Sequence, residues 1–163
     1  MSNPVSNLVA LLASAAPADR LDAAEKLARL EADARPAAVA LVAACETDDE
    51  QLRDWVVTAL EGLGPPDAGD VPKLAALIDS SSLDAAYWAV TLLGRLENQA
   101  APAVPKLATA LANHPELPVR ERAAWALGKI GPQAAAARDA LTNAAQAPEV
   151  RLATLARDAL ARL

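Results

Sequence analysis

Histidine and cysteine are the side chains most often used for metal ligation and nucleophilic catalysis at neutral pH. Each occurs once, as His114 and Cys45. A single histidine cannot build a His-based metal site within one chain, and the flanking Asn113 and Pro115 mark an exposed turn. A lone cysteine cannot form an internal disulfide, which fits a reducing compartment. The Asp48-Asp49-Glu50 run could hold a cation weakly, but a solvated turn whose acids cap a helix is the better account. Catalysis needs convergent groups, and there is no P-loop, no Gly-x-Gly-x-x-Gly and no zinc-spaced Cys/His set. The sequence therefore predicts no catalytic residue, no metal, no cofactor and a non-enzymatic role.

Charge removes further classes. At a formal net charge of −6 the chain lacks the electrostatic term that dominates nucleic-acid affinity, so no nucleic-acid partner is expected. Met1-Ser2-Asn3-Pro4 carries no basic segment, and the apolar stretch from Val5 to Ala13 is interrupted and too short to span a bilayer. The expectation is a protein without membrane contact, in the cytoplasm.

The elements that must position any site come from a repeat. Val71-Pro72-Lys73-Leu74 recurs as Val104-Pro105-Lys106-Leu107, an interval of 33 residues. The same step links Val5, Ala38, Val71, Val104 and Ala137, then Leu8, Leu41, Leu74, Leu107 and Ala140, then Leu12, Cys45, Ile78, Leu111 and Ala144. The i, i+3, i+7 spacing makes each set of three one apolar helical stripe, and it assigns Cys45 to the core. A second helix follows each stripe, with Leu27, Leu60, Leu93, Leu127 and Leu160 in register and one residue inserted near 113–118. Turns such as Thr47-Asp48-Asp49 and Asp79-Ser80-Ser81-Ser82 supply capping residues, and Gly62–Gly69 with Pro65-Pro66 is a longer connection between pairs. With 53% hydrophobic residues but only 2% aromatics, the apolar content is mainly Ala, Leu and Val, which suits closely stacked helices.

The string Val119-Arg120-x-x-Ala123-Ala124-x-Ala126-Leu127-Gly128-x-Ile130-Gly131 resembles the second helix of a HEAT repeat of the short bacterial type found in bilin lyase subunits. The Val-Pro-Lys-Leu helices resemble its first helix. The resemblance covers about residues 4–163 and implies an all-α fold: a right-handed α-α superhelix of five helix pairs, ten helices, in a single domain 1–163. The repeats run approximately 4–33, 36–66, 69–99, 102–133 and 135–163. It also implies that Arg20, Arg53 and Arg120 bond to acids of the turns, with Ala86 breaking the series, and that the second helices line a concave face.

All the aromatic residues fall on second helices. Trp55, Trp88 and Arg122 share one repeat position, Tyr87 precedes Trp88, and Trp125 follows Arg122 by one turn. These are variable positions, and Trp, Tyr and Arg are the types that dominate interface hot spots. The reading is a scaffold binding a protein or peptide through Trp55, Tyr87, Trp88, Arg122, Trp125 and Lys129 on the concave face. Residues 1–81 carry a net −8 and residues 82–163 a net +2, so a partner would meet an acidic end and a basic end. The competing readings are an accessory or lyase-like subunit of an enzyme complex, and a monomer or weak homodimer that self-assembles through terminal helices at Leu152, Leu155 and Leu163.

Overall fold

The computed structural model describes residues 4–163; the Met1-Ser2-Asn3 stretch discussed above lies outside the described residues. Among the described residues every regular element is helical. The first helices of the pairs are α1 (Pro4–Leu12), α3 (Ala38–Ala44), α5 (Val71–Leu77), α7 (Val104–Asn113) and α9 (Arg138–Ala144). Their partners are α2 (Pro17–Leu30), α4 (Glu50–Gly62), α6 (Leu83–Arg95), α8 (Leu117–Ile130) and α10 (Val150–Leu160).

The chain divides into two compact units, one through Asp67 and one spanning Ala68–Leu163. The boundary falls within the Gly62–Gly69 connection. Elsewhere successive pairs are joined by a seven-residue 3₁₀ helix, at Glu31–Ala37, Glu97–Ala103 and Gly131–Ala137. Here only Ala68–Asp70 is 3₁₀, because Pro65-Pro66 removes two backbone donors. In the first unit α2 packs beside α4, with α1 and α3 on their own partners. In the second, α8 lies between α6 and α10, and α5, α7 and α9 pack on their partners.

The repeat positions form the core as the periodicity predicts except in α9, the last of the first helices. There Ala140 is only half-buried and Leu141 is fully enclosed in its place, because the residue inserted near 113–118 moves that helix one position along. Leu41, Leu74, Leu107, Leu27, Leu60, Leu93 and Leu127 are fully enclosed, whereas the terminal copies Leu8, Leu160 and Leu163 are half-buried. Cys45 is buried, and its thiol donates to the Leu41 carbonyl at 3.6 Å, so it is a core residue. At the ends of second helices the backbone takes a positive φ at Glu31 (48°), Gly64 (73°), Glu97 (52°) and Gly131 (73°). The period is visible even in this backbone sign, and glycine fills it without the Cβ clash at two of the four.

Turn chemistry repeats as well. Asp49 and Ser82 cap α4 and α6, accepting from the amides of Leu52 (3.1 Å) and Ala85 (3.3 Å). One step earlier, the amides of Ala16, Asp49, Ser82 and Glu116 donate to Ser14 Oγ (3.1 Å), Thr47 Oγ1 (3.2 Å), Ser80 Oγ (3.1 Å) and His114 Nδ1 (3.2 Å). His114 therefore stands at a repeat position held elsewhere by hydroxyls and closes the same turn. His114→Ser is expected to leave stability within about 0.5 kcal/mol, and His114→Ala to lower it by about 0.5–1.5 kcal/mol. Urea unfolding of the two variants separates them; equal losses would mean that the imidazole does something a hydroxyl cannot.

Members of the expected arginine series reach backbone carbonyls. Arg53 donates to the Thr47 carbonyl and Arg120 Nε to the Leu111 carbonyl at 3.1 Å, while Arg20 Nε is buried without a hydrogen-bond partner. Arg157, outside the series, donates to the Ala145 carbonyl at 2.9 Å. These contacts go to backbone oxygens at the ends of first helices or, for Thr47, in the turn that follows, which have no intrahelical donor.

Candidate functional site

The helix α6 is enclosed on nearly every side, with Ala85, Ala86, Trp88, Ala89, Val90, Thr91, Leu92, Leu93 and Gly94 all buried. Thr91 is the one polar side chain among them, at 1% exposure, and its hydroxyl must be satisfied locally. It donates to the Tyr87 carbonyl at 2.8 Å and accepts from Arg122 Nε of α8, also at 2.8 Å. That second bond ties α8 to α6 and fixes the guanidinium. The Arg122 guanidinium carbon then lies 4.2 Å from the Trp125 ring centroid and 5.0 Å from that of Tyr87. Contacts of this kind contribute about 0.5–2 kcal/mol each, more as water is removed.

Trp125 reaches this position because Gly94 leaves room. A Cβ at residue 94 would stand 2.2 Å from Trp125 Cζ3, so the indole occupies the space a side chain would take. On the other side, a Cβ at Gly128 would meet the Ala159 backbone at 3.2 Å, which brings α10 close to α8. Arg151 and Leu155 of α10 thereby close a cavity of about 310 Å³ with Tyr87, Pro118, Glu121, Arg122 and Trp125. Arg151 Nε is 3.5 Å from Glu121 Oε2, whereas among the described residues Arg122 has no carboxylate within ion-pair distance. Burial, followed by the nearby charge of Arg151, pushes the Arg122 pKa down against the favourable influence of Tyr87.

Of the six residues expected to form one strip, the structure brings together Tyr87, Arg122 and Trp125. Trp88 is a correction: at 8% exposure it is buried, edge-on to Tyr87 (6.1 Å between centroids) and beneath the Arg95 guanidinium at 5.5 Å. Its repeat position is variable in type, but on an enclosed helix a variable position is still an interior one. Lys129 pairs with Glu97 at 3.4 Å and does not line the cavity. Trp55 lies half-buried on α4 in the first unit. Thr91, Gly94 and Glu121 were not among the expected residues, and Arg151 was read only as part of the basic end. Thr91 and Gly94 did leave a signal, since a polar residue and a glycine inside an apolar helix each need a packing reason.

Among the described residues no group of three or more His, Cys, Asp or Glu side chains is arranged to hold a metal ion, and no helix is long and apolar enough to cross a membrane.

Paired helices recurring every 33 or 34 residues, with a polar and aromatic cluster on the second helices, define a helical-repeat protein. A family model described as HEAT repeats matches residues 71–161, more than half of the chain, and the chain belongs to that family. No curated protein sequence matches it. Among solved structures, an engineered protein from the Northeast Structural Genomics Consortium superposes with a TM-score of 0.68 at 23% identity, covering 99% of this chain and 81% of that one. The complex of CpcE and CpcF of phycocyanin lyase from Nostoc sp. PCC7120 gives 0.64 at 25%, covering 100% and 66%. A designed armadillo repeat protein in complex with the peptide (KR)4 gives 0.67 at 17%, covering 98% and 82%. The fold is thus an α-α solenoid of the HEAT and armadillo kind.

Proposed function

We propose that this protein is a non-catalytic scaffold that binds a protein or peptide through the second-helix face of its Ala68–Leu163 unit, around Tyr87, Arg122 and Trp125. The observation that carries the reading is Arg122: a half-buried cation, held by Thr91 and two aromatic rings, with no carboxylate of its own at the edge of a cavity. The structural arginines Arg120 and Arg157 end on backbone carbonyls of their own helix pair. An arginine held rigid and left open is suited to a partner's polar group, with flanking rings that bury area at low entropic cost. The designed armadillo neighbour, which holds a peptide, is a fold-level parallel.

The test is affinity capture with the wild-type chain and a Tyr87→Ala/Trp125→Ala variant, each checked for helical circular dichroism. The expected result is a defined set of proteins retained by the wild type and lost by the folded variant. An identical set from both would sink the reading. The CpcE–CpcF likeness favours one second reading, an accessory subunit that pairs with another helical-repeat chain. Mass spectrometry of the same capture distinguishes it, because a single repeat-protein partner would then dominate.

A further inference from the structure

We infer that the cavity between α6, α8 and α10 is a carboxylate-binding subsite, built to take an acidic side chain of a bound peptide flanked by apolar residues. This rests on the scaffold reading and specifies what the scaffold recognises. The guanidinium of Arg122 spends its Nε–H on Thr91 and lies over the rings of Tyr87 and Trp125. Its two Nη groups have no partner among the described residues and remain as a fork of parallel donors. That fork matches the two oxygens of a carboxylate, and a pre-fixed guanidinium loses little entropy on pairing.

The second cation, Arg151, sets the sign of the ligand, and Glu121 sets its charge. Arg151 and Arg122 both border the cavity, and Glu121 neutralises only Arg151. The lining thus carries one uncompensated positive charge. A monoanion balances it, whereas a phosphate dianion would face the Glu121 carboxylate, and a basic peptide would meet two arginines. The walls supplied by Pro118, Trp125 and Leu155 are apolar and suit the methylenes of a Glu and an adjacent aliphatic residue.

The experiment is calorimetric titration of the full chain with three probes: an octapeptide of alternating Leu and Glu, its Leu-Gln counterpart, and (KR)4. The Leu-Glu peptide is expected to bind at least about tenfold more tightly than the Leu-Gln peptide, with no binding of (KR)4. Arg122→Gln should remove that preference, and Glu121→Gln should tighten the Leu-Glu complex by relieving like-charge repulsion. Arg29→Gln, on an arginine paired with Glu25 in the other unit, should change nothing. Equal affinity for the Leu-Glu and Leu-Gln peptides, a measurement that needs no variant, would overturn the subsite, as would tighter binding of a phosphoserine peptide. If capture still depends on Tyr87 and Trp125 while the charge preference is absent, the carboxylate inference fails and the scaffold reading stands.

Discussion

Leu127→Ala is expected to lower the stability of the Ala68–Leu163 unit by about 2–5 kcal/mol, the largest loss of any single change considered for this chain. Leu127 is fully enclosed on α8, and α8 is the helix that packs at once against α6, α7 and α10. Truncation forfeits the transfer of the removed carbons and leaves a void. The void cannot collapse easily, because the approach of α10 is already limited by Gly128 against Ala159. Urea unfolding followed by circular dichroism gives the loss directly, and the equivalent change at half-buried Leu160 should cost clearly less. Similar losses at the two positions would mean that the terminal repeat is as tightly packed as the interior one.

The second large effect is a change of sign. Gly94→Ala ought to stabilise a helix by about 1 kcal/mol on propensity alone. Here the three nearest atoms to the added Cβ all belong to the Trp125 ring, at 2.2, 2.9 and 3.0 Å, so the indole must leave its seat. Overpacking of this kind costs about 1–3 kcal/mol, and the displaced ring also loses its contact with Arg122. A net loss is therefore expected, together with a weakened near-ultraviolet circular dichroism signal. In a Trp125→Ala background the clash is gone and the same substitution should become stabilising. A double-mutant cycle reads this reversal as a coupling energy; additive effects would show that Trp125 does not lie over Gly94.

Both predictions depend on features that differ in how far the sequence reveals them. The seat of Leu127 follows from its register with Leu27, Leu60, Leu93 and Leu160, since a 33-residue period carries the inward face from one helix pair to the next. Cys45 was assignable to the core on the same ground. The role of His114 was hidden by its type: its alignment with Ser14, Thr47 and Ser80 places it in a turn, but that its ring nitrogen accepts the same amide is seen only in three dimensions. Trp88 shows the limit most plainly. Repeat equivalence put it with Trp55 and Arg122, yet α6 is surrounded on nearly every side and its variable positions are interior.

The helical repeat and the grouping of aromatic residues on second helices were both legible from the chain. They are one-dimensional properties: counts, spacings and a period that local helix geometry converts into faces. The cluster around Arg122 is a property of another kind. Arg122 meets Thr91 and Tyr87 across two helices, and Trp125 meets Gly94, because α6 and α8 approach closely where a side chain is missing. Interhelix distance depends on every small residue along the contact, so which variable side chains converge, and which charge is left unpaired, was decided by the tertiary structure alone.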